Sequence, residues 1–143
     1  MGMLINTRTV RIMWGDCDPA GIVYYPRYFA IFDNCTMALF ERALGMTTYQ
    51  FLNAYDFSGY PIVDTRARFF APAKFGDDVI VETTITKFRG SSFDVHHRLS
   101  NGSKLAAEGF ETRVWICRHP DDPEKIKAKQ IPPEIVERFS SST

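Results

Sequence analysis

The chain has no net charge, no long apolar run and few cysteines, and each shortage removes a class of function. Seventeen Lys and Arg residues balance seventeen Asp and Glu, with a pI near 6.8. That leaves no basic footprint of the kind that drives nucleic-acid binding by counterion release. There is no run of about eighteen apolar residues and no apolar N-terminal stretch with a basic flank. The expectation is a soluble, unprocessed protein without a membrane span. The three cysteines, Cys17, Cys35 and Cys117, are odd in number and lack the paired spacing of a zinc site or redox motif, which suits a reducing cytoplasm. Cys17 lies between Asp16 and Asp18. Two adjacent negative charges disfavour its thiolate, so it reads as packing and not as a nucleophile.

What is present suffices for one domain spanning 1–143. The chain has 143 residues, 45% hydrophobic and 14% aromatic, enough for a sizeable core. Residues 7–14 alternate, with Val10, Ile12 and Trp14 on one face and Thr9, Arg11 and Met13 on the other, the period of a half-buried strand. From about 26 to 44 the apolar positions Tyr28, Ile31, Phe32, Cys35, Leu39 and Ala43 recur at three and four, predicting a helix with Pro26 in its first turn and Gly45 at its stop. Phe29, Met37 and Phe40 fall off that stripe. This helix should therefore be wrapped, not laid on a surface.

A shorter helix is predicted over 48–55. Beyond it, turn signals at 75–78, 89–92 and 100–103 divide the chain into strands over 61–72, 78–88, 92–100 and 104–117. The tail from His119 is polar and proline-marked, and Pro132 and Pro133 open a short helix suited to docking on the sheet edge. One strand, a long helix and an antiparallel meander make an α+β layout, without the alternation of a dinucleotide-binding fold.

The segment Trp14–Tyr25, WGDCDPAGIVYY, sets two carboxylates two positions apart where the first strand should end. Asp18, followed by Pro19 and Gly21, could act as base or nucleophile at the mouth of a helix. Asp-Pro also opens turns, and Asp caps helices, so a structural role is the competing reading. His96 and His97 are consecutive in a strand and point to opposite faces, which rules out a joint metal site. No Gly-x-Ser-x-Gly elbow surrounds Ser58, Ser91 or Ser92.

The run GDCDPAGIVYYPRYFAIFD resembles the signature of the hotdog-fold 4-hydroxybenzoyl-CoA thioesterases, and the order of strand, helix and meander agrees. The resemblance implies a long central helix wrapped by a curved antiparallel sheet, with subunits pairing into dimers and dimers into a homotetramer. It implies an acyl-CoA thioesterase with no metal and no cofactor beyond the CoA of the substrate. Asp18 takes the place of the catalytic carboxylate, as nucleophile or general base. The amide of Tyr25 polarises the thioester carbonyl, an interaction of a kind whose loss costs about 2.7–4 kcal/mol in the transition state. Gly21 lets the chain turn without a side chain blocking the acyl group.

Asp33 matches the position that accepts the ring hydroxyl across the subunit interface in hydroxybenzoyl-specific members. This favours a phenolic acyl group, 4-hydroxybenzoyl first, and Phe29, Phe32, Phe69, Phe70 and Phe93 could line a flat ring pocket. Lys87, Arg89, Ser91 and Ser92, with Gly90, form a basic turn suited to the CoA phosphates. Arg66 and Arg68 share a strand face beside Asp64 and could contact nucleotide or pair with surface acids. Hotdog dehydratases carry a catalytic histidine, and none follows Asp18 before His96. Two other readings stand beside this one: a thioesterase for short aliphatic or other aryl acyl-CoAs, and a silent hotdog module that only binds acyl ligands.

Overall fold

The computed structural model describes residues 3–140; the ends of the expected domain, 1–2 and 141–143, lie outside the described residues. A first strand, β1 (Ile5–Arg11), leads through a 3₁₀ turn, Trp14–Asp16, to the long helix α1 (Tyr25–Leu44) and the short α2 (Thr48–Ala54). The strands β2 (Ile62–Phe69), β3 (Asp78–Phe88), β4 (Ser92–Asn101) and β5 (Lys104–Val114) follow. A hairpin of β6 (Ile116–His119) and β7 (Asp122–Ala128) then precedes α3 (Pro133–Arg138). The main sheet is antiparallel in the order β1-β3-β4-β5-β2, so β1 and β2 are its edges. A long helix against a curved five-stranded antiparallel sheet is the expected α+β hotdog arrangement.

Alternation along the meander aims Val79, Val81, Thr83 and Ile85 of β3 and Phe93, Val95, His97 and Leu99 of β4 at α1, all buried. The helix buries Tyr28, Ile31, Phe32, Cys35, Thr36, Leu39, Phe40, Ala43 and Leu44. It ends at Gly45, which takes a left-handed conformation (φ 64°). Two apolar clusters form along it. One surrounds Tyr28 and Phe32, and the other joins Phe40 to Phe51, Phe57, Phe93, Trp115 and Phe139. Phe40 thus finds its cover in α2, α3 and the segment after α2, which is why the apolar circumference of α1 exceeds one sheet face.

Several boundaries differ from the periodicity. The first strand ends at Arg11, and Trp14 is not on its buried face. Trp14 is 60% exposed and meets Phe75 edge to face at 5.5 Å. The predicted strand 104–117 breaks at buried Trp115, which lies between β5 and β6. The polar tail contributes β7, which pairs with β6 as a hairpin and whose exposed lysines mask the strand period. The last helix docks on the end of α1 and not only on the sheet. Arg138 donates to the carbonyls of Ala43 and Leu44 at 3.0 and 3.1 Å, while Phe139 packs edge to face on Phe40.

Gly109 of β5 governs how closely α1 approaches the sheet. A Cβ there would stand 2.5 Å from two ring carbons of Phe32, whose ring lies parallel to that of His97 at 4.7 Å. The ring is buried and stacked on His97, so stepping aside would disturb that contact. Gly109→Ala is expected to destabilise the fold by about 1–3 kcal/mol, the usual range for overpacking a core. Urea unfolding of the two proteins measures it, and equal midpoints would show that the contact can relax.

Candidate active site

The loop after β1 assigns its two carboxylates different work. Asp16 is fully engaged: one oxygen accepts the Met13 amide at 2.9 Å, and the other accepts Nε and Nη2 of Arg27 at 3.2 and 3.0 Å. Its carbonyl accepts the Tyr24 amide at 2.8 Å, so the loop is fastened to the first turn of α1. Asp18 has a single side-chain bond, from the Ala20 amide to Oδ1 at 2.8 Å. That is a local turn over Pro19 and not a helix cap, because Tyr24 occupies the N-cap position of α1.

The backbone around Asp18 is fixed on both sides. Its amide donates to the Ile22 carbonyl and its carbonyl accepts the Gly21 amide, each at 2.9 Å. Gly21 has φ of 80°, a region that side chains with a Cβ disfavour. A Cβ there would meet no protein atom within 4 Å, so what the fold itself requires of glycine at this position is its backbone conformation. Tyr25 opens α1, where an amide has no acceptor within its own helix and the helix dipole favours negative charge. Cys17 is half-buried with its thiol against the Met13 carbonyl. Burial, with the charges of Asp16, Asp18 and Asp77, pushes that thiol up from its ordinary value, in keeping with a packing role.

Two clefts flank the helix. One of about 300 Å³, continuous with the Asp18 loop at Ile22 and Val23, is lined also by Tyr28, Phe69, Phe70 and Pro72. Of the five phenylalanines suggested for a ring pocket, only Phe69 and Phe70 line it. Phe32 and Phe93 are core residues, held by α1 and the inner face of β4. The other cleft, about 240 Å³, lies between α1, α2 and residues 57–60, and is lined by Asp33, Met37, Phe51, Leu52, Phe57 and Tyr60. The two clefts share no lining residue, so within one protomer Asp33 borders a different space from the cleft that the Asp18 loop reaches through Ile22 and Val23.

Behind Asp33 stands a buried polar chain absent from the sequence reading. Arg113 donates to Asp33 Oδ1 through Nη2 at 2.7 Å, to the Tyr60 carbonyl through Nη1 at 3.1 Å and to Glu111 Oε1 through Nε at 2.7 Å. Glu111 also accepts from Thr36 at 2.8 Å and lies 2.9 Å from His97 Nε2, while His97 Nδ1 lies 2.8 Å from Thr83. The signal was available in phase: Glu111 and Arg113 share strand parity with Ala107 and Gly109, the inward face of β5. The histidines do diverge as expected. His97 points inward, and His96 points outward to Glu108 at 2.7 Å.

The turn joining β3 and β4 is not an open hairpin end. Arg89 is bidentate to Asp94 at 3.0 and 2.6 Å, holding Asp94 below the usual carboxylate range, and the Ser91 carbonyl accepts the Trp115 amide. Ser91 and Ser92 are half-buried, and the Gly90 carbonyl accepts the Ile131 amide. Lys87 makes no ion pair among the described residues. The start of β3 is tied to the Asp18 side of the sheet by the Ile12 amide on the Asp77 carbonyl. Lys87 lies nine residues along β3 from Asp78, about 30 Å at the usual strand rise. Asp18 and this turn therefore occupy opposite ends of one protomer. On the outer face of β2, the Arg66 guanidinium lies over Phe110 at 4.0 Å.

Comparison with known proteins agrees with this architecture. Residues 12–139 match the model of the thioesterase-like superfamily. The 4-hydroxybenzoyl-CoA thioesterase of Pseudomonas sp. (strain CBS-3) is 31% identical over 139 residues, 94% of this chain and 96% of the relative. The chain belongs to this thioesterase superfamily, and it is a thioester hydrolase. Within the superfamily it is similar to a solved 4-hydroxybenzoyl CoA thioesterase variant complexed with 4-hydroxybenzoyl CoA. That match has a TM-score of 0.85 and 32% identity, covering 95% of this chain and 99% of the other. A gentisyl-coenzyme A thioesterase matches with a TM-score of 0.78 and 30% identity over 92% of this chain and 99% of its own.

Burial pushes the Glu111 carboxyl up, but hydrogen bonding and charge from His97 and Arg113 outweigh it and hold the group below its ordinary value. Its contribution to stability is therefore fully present above the ordinary glutamate value, about pH 4.3, and is lost as pH falls through the lower folded value. Thermal melts from pH 6 down to pH 3 should show a steeper acid loss for the native protein than for Glu111→Gln. Parallel curves would show that Glu111 does not carry this dependence.

Proposed function

We propose that this protein hydrolyses aryl-CoA thioesters bearing a ring hydroxyl, 4-hydroxybenzoyl-CoA first among them, to the free acid and CoA. The observation that carries the reading is Asp33, a carboxylate 61% exposed at its side chain in an otherwise largely apolar cleft. The one carboxylate of that lining, set among Met37, Phe51, Leu52 and Phe57 with the hydroxyls of Thr48, Ser58 and Tyr60 nearby, suits a flat apolar group with one donor at its far edge. The similar proteins support this choice, since both hydroxybenzoyl and gentisyl groups are hydroxylated rings. The gentisyl case favours a second reading, another hydroxyaryl thioester in place of 4-hydroxybenzoyl.

In this reading Asp18 is the nucleophile or general base, acting through the carboxylate oxygen that its turn leaves free. The Tyr25 amide stabilises the negative charge that develops on the thioester oxygen, and Gly21 fixes the intervening turn. CoA thiolate is a good leaving group, so the step needs neither a strong general acid, a metal nor a further cofactor. Lys87, Arg89, Ser91 and Ser92, at the end of the protomer far from its own Asp18, would face the CoA phosphates of a substrate bound across the interface, with Lys87 the cation left unpaired among the described residues, since Arg89 is held by Asp94.

The working form is a homotetramer built from dimers. The edge strand β2 has exposed backbone and exposed Ile62, Val63, Phe69 and, just beyond it, Phe70, a combination that invites pairing. An antiparallel pair of β2 strands sets the Phe69 end of one protomer, beside Asp18, against the Ile62 end of the other, beside Tyr60 and Asp33. That would unite the two clefts across the interface. The protein would work in the cytoplasm, in keeping with its unpaired cysteines. No helix among the described residues is long and apolar enough to cross a membrane.

Release of CoA thiol from 4-hydroxybenzoyl-, benzoyl-, phenylacetyl-, butyryl- and palmitoyl-CoA tests the proposal, with Asp18→Asn beside the native protein. The expected result is the highest kcat/KM for the hydroxylated substrate. Asp18→Asn should unfold normally, because its amide oxygen can keep the Ala20 bond, yet lose at least about a hundredfold in kcat. Preference for an aliphatic chain, or an active Asp18→Asn, would sink it.

A further inference from the structure

Charge is rare on the inner face of the sheet, and where it occurs it is organised towards one surface atom group. Among the described residues the buried polar side chains are Thr36, Thr83, His97, Glu111 and Arg113, and all five belong to one connected set. Glu111 and Arg113 are 4% and 3% exposed. A buried ion pair of this kind is weak as a source of stability, since well-packed apolar residues of the same volume serve as well or better. Around it the sheet does use apolar residues, Val81, Ile85, Phe93, Val95 and Leu99. Stability alone therefore does not account for it.

Each arm of the Arg113 guanidinium has a fixed partner. Nε is held by Glu111, Nη1 by the Tyr60 carbonyl, and Nη2 reaches Asp33. Glu111 is itself fixed by Thr36 of α1 and by His97, and the Tyr60 ring lies 5.3 Å from the guanidinium carbon. A guanidinium so held cannot pivot, and it takes Asp33 by one oxygen only. Asp33 Oδ2 has no hydrogen bond among the described residues. An aspartate on a helix surface ordinarily samples several rotamers; this one is pinned by Oδ1 with Oδ2 left for a donor arriving in the cleft.

We infer that Arg113, braced by Glu111 and the Tyr60 carbonyl, is the positioning residue that sets discrimination for a ring hydroxyl, by fixing the Asp33 carboxylate before substrate arrives. Orientation of this sort matters because a hydrogen bond gains specificity only when its acceptor is already in place. Lysine cannot substitute: one ammonium on a flexible stem does not reproduce three directed donors. The inference rests on the reading of Asp33 as acceptor of the ring hydroxyl.

The test is the ratio of kcat/KM for 4-hydroxybenzoyl-CoA to that for benzoyl-CoA, measured for the native protein, Asp33→Asn, Arg113→Lys and the double variant. A hydrogen bond to a charged group predicts a fall in the ratio of roughly tenfold or more in Asp33→Asn. Arg113→Lys should give a fall of similar order, and adding it to Asp33→Asn should lower the ratio little further, as expected for residues acting through one contact. If Arg113→Lys does not fold, Glu111→Gln with Arg113→Met removes the pair without leaving a lone buried charge and reads the same ratio. A ratio kept at the native value in the Arg113 variants, with both substrates slowed in proportion, would overturn the inference while leaving Asp33 its role. A ratio unchanged in Asp33→Asn would instead overturn the phenolic reading itself.

Discussion

The depth at which α1 sits in the sheet controls the rest of this structure. Gly109 leaves room for the Phe32 ring, which lies parallel to His97, and that contact sets the helix against β4 and β5. Everything attached to the helix is then placed at once. Tyr25 is brought to the loop that holds Asp18, Thr36 reaches Glu111, and Asp33 comes within hydrogen-bond distance of Arg113. A shallower helix would keep its apolar cover but lose these polar contacts. Dispersion and hydrophobic burial tolerate small shifts, whereas hydrogen bonds do not.

The loop between β1 and α1 shows how two identical side chains acquire different properties. Asp16 and Asp18 are two positions apart in a turn, yet Asp16 accepts from two residues and lies under Arg27, while Asp18 keeps an oxygen free. The division follows from the chain path. The 3₁₀ turn carries Asp16 under the first turn of α1, and the tight turn at Pro19 to Gly21 engages only one oxygen of Asp18. One carboxylate makes the other's position dependable.

Much of this was legible in the sequence, and the failures have physical causes. The 3.6-residue period of α1 and the alternation of β3 and β4 gave elements whose ends agree to within a residue or so, because each buries one continuous face. The hairpin of β6 and β7 was hidden, since β7 is exposed along its length and exposed strands lose the alternation that reveals them. Trp14 was misread because a large apolar residue at a strand end looks like core until the chain turns away. At the site, the motif around Asp18 and the position of Asp33 were readable as types at a spacing. Glu111 and Arg113 were not, since their meaning lies in contacts some eighty residues apart in the chain. Only strand parity hinted at them.

The chain has two tryptophans, and the fold gives them opposite surroundings. Trp115 is 1% exposed, its ring 4.1 Å from that of Phe57, and its indole N–H has no acceptor among the described residues. Trp14 stands largely in solvent on the loop that carries Asp18. An indole in an apolar cage without a hydrogen bond emits at shorter wavelength than one in water, so the two signals separate by colour. The blue component follows the packing of α1, α2 and α3 around Phe40, and the red component follows the loop that carries Asp18 and its contact with Phe75. The protein thus carries its own pair of optical probes, one for its core and one for its site.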